Sequence, residues 1–547
     1  GVMSLGANKQ ALMGAAGAAG GGADSGFYTH QIASSLRNSS SQNGTLKRTA
    51  GTPTNSTKFT MSYWVKRYND SGPSEHNLVF TSGTGGASYI FWGFAGTDFD
   101  LQTTGGNWST GYLTSDAMYR DTSAYYHHVL TFDSTQSTQA DRLKIYVNGE
   151  RIISFSVESV TSGIGSSEAF SFINQSGVVQ AYGGLSGSGH GTEGADNQMA
   201  EIVFNDGQSY GPDSYGETKN GVWIPKDPSG LTFGNNGYWL KMAAGARGTD
   251  SSGNGNNFTV NNIPEHDVML DSPTFNSDSN GGNFLTWNPL SQGSYSTIRE
   301  GNLITASNTG ADASYPSGNI CFPTGKWYME YLIGSQSETW PHPGLVDIAS
   351  SQAQDVTRGY FYAVRYLYNG TVEASSGEVM SNFGTVTIVN TGVASYSPGD
   401  IISWYIDADN KKAWVAKNGT IPNSGNPATG AYPQIAWTGT PPGLTIASGV
   451  YSSYYITLNA GSDGTFAGTK TAQGNKDTTG YGNFYYAPPS GFLAVCTGNL
   501  PIADSIDPAQ TDDDFPKELF FMSEYAGNSS GRTITTENQP DWMWIRH

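Results

Sequence analysis

The sequence predicts an all-β chain of tandem antiparallel β-sandwiches, and three observations predict it. The composition is that of short strands joined by tight turns: 71 glycines, 12% aromatic and only 13% charged residues among 547. That mix suits sandwiches and argues against helical bundles. Runs that alternate apolar and polar residues recur along the chain, separated by Gly, Ser, Asn and Asp turn signals about every 8–12 residues. Two Asn-Gly dipeptides, Asn148-Gly149 and Asn418-Gly419, each stand at the end of such a run. Asn-Gly supplies the two positive-φ positions of a type I′ turn, whose twist matches that of paired strands. The length exceeds what one core fills, so the two hairpins are assigned to two different sandwiches.

Residues 1–23 are small, apolar and Gly-rich. They read either as a disordered leader or as a segment that docks on a larger assembly. Residues 24–264 are expected to form the first sandwich, with strand-like runs at 59–66, 78–80, 89–94, 99–102, 169–173 and 199–204. Its centre is 125–151. There Tyr126, His128, Leu130 and Phe132 share one face, and Leu143, Ile145 and Val147 alternate with Arg142, Lys144 and Tyr146. After Asn148-Gly149 a third strand is expected to fold straight back through Ile153 and Phe155. His127 and His128 point to opposite faces of their strand and so cannot share one metal; His128 reads as a core histidine.

The series Thr60-x-Ser62-x-Trp64-Val65-Lys66, Tyr119-Arg120-Asp121, Tyr126-His127-His128-Val129, Lys144-Ile145-Tyr146-Val147-Asn148-Gly149 and Ala200-Glu201-Ile202 resembles a laminin-G/concanavalin A-like jelly roll. With Gly221-Val222-Trp223-Ile224-Pro225-Lys226, the order is similar to the version found in bacteriophage virion proteins. Residues 265–301, polar and rich in Pro, Gly and Asp, are the expected connector. Residues 302–500 are the second sandwich, with runs at 325–333, 359–364, 400–407, 412–417 and 454–461. Its Lys326-Trp327-Tyr328-x-Glu330 opening, Gly399-Asp400 strand start, Asn418-Gly419 hairpin and closing Pro489-x-Gly491-Phe492 resemble a SPRY-type sandwich. Such modules bind partners through loops, so this resemblance implies recognition rather than catalysis. Residues 501–547 read as a C-terminal extension or the start of a further module, ending in the aromatic run Trp542-Met543-Trp544-Ile545. That ending is expected to continue into a longer polypeptide.

A formal net charge of −19 argues against nucleic acid and anionic membranes as partners. No run of about 18 apolar residues occurs, so no membrane-spanning helix is expected. Two cysteines, Cys321 and Cys496, do not make a disulfide scaffold, and whether they pair is left open. Glucanases with a jelly-roll shape need two carboxylates on one strand face, and no such cluster occurs here; Glu201 and Glu330 each stand alone. Gly527-Asn528-Ser529-Ser530-Gly531 lacks the following helix that a nucleophile elbow requires. No enzymatic activity is expected.

The candidate ligand-binding residues are aromatics in or beside Gly/Ser-rich stretches: Trp92, Trp108 and Tyr112 in the first sandwich, Trp340 and Tyr366 in the second. Sugar rings stack on such side chains, while Asn and Asp bind hydroxyls. The other reading is that these aromatics fill cores. The 250–258 segment (DSSGNGNNF) is either a plain Gly/Asn turn or a Ca²⁺ site with Asp250 and Asn254 as ligands. No other cofactor is expected. The resemblances imply a virion component, on tail or capsid, that docks on other virion proteins through its N-terminal segment. It would self-associate, a homotrimer being favoured, and adhere to a host cell-surface glycan or protein. A capsid decoration or fibre protein with a structural role is the alternative from the same particle, and a polysaccharide-degrading tailspike the alternative from another class.

Overall fold

The computed structural model describes residues 28–39, 42–68, 76–85, 88–104, 110–160, 163–184, 195–219, 221–275, 280–292, 296–307, 315–335, 341–349, 364–374, 382–389, 393–451 and 454–500. The expectations for the leader, for the C-terminal extension, and for Trp108 and Trp340 lie outside these residues. The chain is all-β, with tandem antiparallel sandwiches, and among the described residues helical structure is confined to short 3-10 turns such as Pro212–Ser214.

The first sandwich opens with β1 (Ser35–Asn38), β2 (Thr45–Thr49), β3 (Lys58–Arg67), β4 (His76–Gly85), β5 (Ser88–Ala95) and β6 (Asp98–Thr104). It continues with β7 (Thr110–Met118), β8 (Tyr126–Asp133), β9 (Leu143–Val147), β10 (Glu150–Arg151), β11 (Phe155–Glu158) and β12 (Val179–Tyr182). Then come β13 (Asn197–Asp206), β14 (Gly216–Lys219), β15 (Val222–Pro225), β16 (Tyr238–Leu240), β17 (Thr259–Asn261) and β18 (Val268–Met269). One sheet runs β10-β9-β8-β3-β13-β1-β18, with β16 also on β13; the other runs β11-β7-β6-β5-β4-β12-β2-β17. Alternation along the strands sends Phe59, Met61, Leu130, Phe132 and Phe204 from the first sheet, and Ile90, Trp92, Phe99, Leu101 and Leu113 from the second, into one shared core.

In the second sandwich the larger sheet carries Ser296–Arg299, Ile304–Ser307, Tyr455–Asn459, Lys326–Ser335, Ile401–Asp407, Lys412–Lys417, Ile435–Trp437 and Val386–Ile388 in that order. The smaller one carries Val372–Ala374, Val364–Tyr366, His342–Asp347 and Leu444–Gly449. Trp327, Met329, Trp404, Ile406, Val415 and Ile446 meet in its core.

Both Asn-Gly turns form, one in each sandwich. Asn148 and Gly149 have φ of 49° and 83°, Asn418 and Gly419 φ of 49° and 77°, the signs a type I′ turn needs. The return strand differs from expectation. β10 pairs with β9 for only two residues, after which the chain leaves that sheet and Phe155 pairs with Ser115 of β7 in the other. Ile153, the expected strand residue, sits at the crossing with 82% of its surface exposed. The 169–173 run is not a strand either. Phe170 and Ile173 are buried, but Phe172 (φ 60°) and Asn174 (φ 54°) turn the chain there.

Candidate functional site

Two of the candidate aromatics are core residues. Trp92 is fully buried, edge-on to Tyr63 and Phe99, because its position on β5 faces the opposite sheet. Tyr366 is also fully buried, packed edge-on against Tyr396, with its hydroxyl donating to the Ala394 carbonyl. Neither ring can stack on a ligand, so the expectation for both is corrected.

Tyr112 is different. It stands on β7 between Gly111 and Leu113, and since Leu113 faces the core, Tyr112 faces outward, 39% exposed. Register builds a patch around it. Gln102 of β6 lies directly opposite Tyr112, and Phe91 of β5 opposite Gln102; in the next row Thr114 faces Asp100. The Gln102 amide donates to the Tyr112 hydroxyl at 2.8 Å, and the Thr114 hydroxyl donates to the Asp100 carboxylate at 2.7 Å. The exposed Val157 of edge strand β11 pairs beside Thr114 and adds an apolar rim. The outer face of this sheet thus presents an aromatic ring, an amide and a hydroxyl side by side, with the Asp100 carboxylate buried beneath the Thr114 hydroxyl, and holds no basic side chain among the residues just named. Those groups suit a neutral ligand with hydroxyl or amide groups, the ring meeting its apolar side. Gln102, Asp100 and Thr114 were legible as the polar positions of 98–104 (DFDLQTT) and 110–118 (TGYLTSDAM), but nothing in one strand alone shows which strand lies beside it.

His127 and His128 serve the fold. His128 is fully buried, its Nδ1 at 3.0 Å from the Tyr63 hydroxyl and its ring among Phe94, Phe99 and Tyr119. Burial pulls its pKa down to about 3. His127, on the opposite face, stacks on Trp64 and lies 2.8 Å from the Ser62 hydroxyl through Nε2. This Ser–His pair is not a nucleophile with its base. The Trp223 indole N–H donates to His127 Nδ1 at 2.9 Å, so the ring proton is on Nε2 and points at Ser62. Glu201, in a bulge of β13 with φ of 44°, accepts from the Trp239 indole at 3.2 Å and contacts His30 Nε2 at 2.6 Å. Glu330 is buried, and its carboxylate accepts from the Tyr328 hydroxyl, the Asn459 amide and the backbone N–H groups of Tyr485 and Tyr486. Glu201 and Glu330 lie in different sandwiches. Among the described residues no group of three or more His, Cys, Asp or Glu side chains is placed to hold a metal ion.

Asp250 and Asn254 are engaged in their own turn. Asp250 Oδ1 accepts from the N–H groups of Trp239 (2.9 Å) and Ser252 (2.8 Å), and Oδ2 from the N–H of Asn256 (2.8 Å) and the Ser252 hydroxyl (2.9 Å). The Asn254 amide donates to the carbonyls of Gly234 and Gly237 at 2.7 and 3.0 Å. Four protein donors thus satisfy the carboxylate that a cation would otherwise take. Cys321 and Cys496 are both free thiols.

Comparison with known proteins bears on the sandwich that carries Tyr112. Residues 38–185 match the family model of the concanavalin A-like lectin/glucanases superfamily, Laminin_G_3. Over residues 38–185 the first sandwich is thus similar to a concanavalin A-like lectin domain. The match ends before β13, which lies outside it. Among solved structures, the chain is similar to the SPRY domain of human HERC1, at 15% identity over 31% of this chain and 96% of that one, with a TM-score of 0.22. It is also similar to a heptameric SAP-like pentraxin from Limulus polyphemus (12% identity, 32% and 77% coverage, TM-score 0.24) and to a human SPRY domain (16%, 30% and 94%, TM-score 0.20). No curated protein matches the chain.

Proposed function

We propose that this chain is a non-enzymatic adhesion protein of a bacteriophage virion, a tail fibre or related appendage, whose first sandwich holds a host-surface glycan or protein. The observation that carries the binding role is the outward face around Tyr112, where an exposed ring stands beside Gln102, Asp100 and Thr114 in a lectin-like domain. The phage assignment draws its support from the ordered motifs between Thr60 and Lys226 and from their resemblance to virion proteins. A net charge of −19 keeps such a protein off nucleic acid and lets it meet uncharged sugars without an electrostatic penalty. Residues 1–23 attach the chain to other virion proteins, and the chain assembles as a homo-oligomer, with a trimer favoured.

Immunogold electron microscopy of purified particles, with antibody raised against this chain, tests the assignment. Label on tail appendages is the expected result. Label spread evenly over the capsid would instead make the chain a decoration protein, and unlabelled particles would remove it from the virion.

A further inference from the structure

We propose that Lys66 and Asn283 become joined by an isopeptide bond, with Asp271 acting as the proton shuttle. Lys66 lies near the end of β3, is 1% exposed, and places Nζ 2.5 Å from Asp271 Oδ2 and 3.3 Å from Asn283 Oδ1. The Tyr125 ring, centred 5.2 Å from Nζ, walls the site on one side. Asp271 is also 1% exposed. Its Oδ2 takes the Phe284 N–H at 3.3 Å, and its Oδ1 is buried with no hydrogen-bond partner. An amine, a carboxyl and a primary amide therefore meet, the first two fully buried and the amide half-buried, although Lys66 is 205 residues from Asp271 and 217 from Asn283 along the chain.

As a permanent ion pair this arrangement is poor. Desolvating two charges is costly, and the attraction repays it only where the remaining polar atoms are satisfied, which Asp271 Oδ1 is not. Burial raises the Asp271 carboxyl above its usual range, which makes it a better proton acceptor than an ordinary carboxylate. A free amine is a nucleophile.

The step balances without an oxidant, a metal or a cofactor. Asp271 takes one proton from the Lys66 ammonium. The Nζ lone pair adds to Asn283 Cγ and opens its C=O π bond. Asp271 hands its proton to the Asn283 amide nitrogen, and as the C=O bond re-forms, the Cγ–N bond breaks and ammonia leaves. The new amide nitrogen returns its surplus proton to Asp271. One C–N bond has replaced another.

The bond would tie the two sandwiches together. Lys66 belongs to the central strand of the first, while Asn283 exchanges hydrogen bonds with Thr497, at the end of the second, through its N–H (3.2 Å, to Oγ1) and its C=O (2.9 Å). A covalent tie there resists pulling apart of the domains. The proposal stands independently of what Tyr112 binds.

Proteolytic digestion of the purified full chain and mass spectrometry test it. The expected product is one linked peptide pair containing Lys66 and Asn283, lighter than the sum of its parts by about 17 Da, the ammonia lost. Asp271→Asn is expected to yield the two peptides unlinked. Unlinked peptides from the wild-type chain would overturn the proposal, as would a pair joined through Asp271 with loss of about 18 Da of water. A link that persists in Asp271→Asn would overturn the shuttle role. The wild-type digest decides the bond itself, whether or not the variant folds.

Discussion

At the residue scale, the side chains that looked most like chemistry turn out to be held by the fold, and Glu330 shows how. It sits mid-strand with both oxygens occupied by donors, two of them the backbone N–H groups of Tyr485 and Tyr486, so it pins that segment to the sheet. Burial outweighs these donors and raises its pKa from 4.5 to about 7. The folded chain then holds a proton that the unfolded chain has released, so this group favours folding fully below pH 4.5, and its contribution is lost as pH rises to about 7. Urea denaturation between pH 4.5 and 8 should show that decline in the wild type. Glu330→Gln should lack this component of the pH dependence, and should be less stable at pH 8 by about 1–3 kcal/mol, because its NH₂ group faces donors. An unchanged pH profile in the variant would show that Glu330 does not titrate in this window. The sequence marked Glu330 as solitary on its strand. It could not show the donors, because Asn459, Tyr485 and Tyr486 lie far along the chain.

At the element scale, what was legible was whatever local alternation and turn chemistry decide. Leu143–Val147 reads buried, half-buried, buried along its length, and the two Asn-Gly turns adopt the positive φ values that their residue types favour. What was not legible was decided by partners elsewhere. The chain leaves its sheet at Ile153 to pair with β7, a choice the apolar pattern of 150–158 does not contain. The 169–173 run is as apolar as a strand, but Phe172 at positive φ makes it a turn, and apolar content alone does not separate the two. Trp92 failed as a ligand residue for the same reason, since a Gly-flanked aromatic reads equally as loop or strand. The Asn148-Gly149 hairpin offers a direct test. Gly149 has φ of 83°, and a Cβ there would meet the Trp223 ring at 2.6 Å. Gly149→Ala should therefore cost about 1–3 kcal/mol of stability, from left-handed strain and the clash. A variant as stable as the wild type in thermal denaturation would mean that the turn is not rigidly placed against Trp223.

At the scale of the whole molecule, the two sandwiches share buried charge. Arg37 of β1 is fully buried, donating to Asp267 at 2.9 Å and to Asp463 at 3.1 Å, partners 230 and 426 residues away. Asp463 lies beyond the Tyr455–Asn459 strand of the second sandwich, so one guanidinium bridges both domains. Arg37→Met leaves two buried carboxylates without their cation, and should destabilise the chain by about 3–5 kcal/mol. Calorimetry should then resolve separate transitions for the two sandwiches, where the wild type gives coupled ones; a single transition in the variant would place the coupling elsewhere. Such a junction was invisible in the sequence, because neither charge pattern nor spacing links positions so far apart. The proposed adhesion role rests on a smaller surface, the outward face of β5, β6 and β7. Its most direct test is the binding of purified wild-type, Tyr112→Ala and Trp92→Ala chains to an array of neutral bacterial-surface glycans, with thermal stability measured alongside. Tyr112→Ala should bind more weakly by about 1–3 kcal/mol, with stability within about 0.5 kcal/mol of the wild type, while Trp92→Ala should lose about 3–5 kcal/mol of stability. Wild-type binding that survives Tyr112→Ala undiminished, or no binding to any glycan by the wild type, would contradict the account.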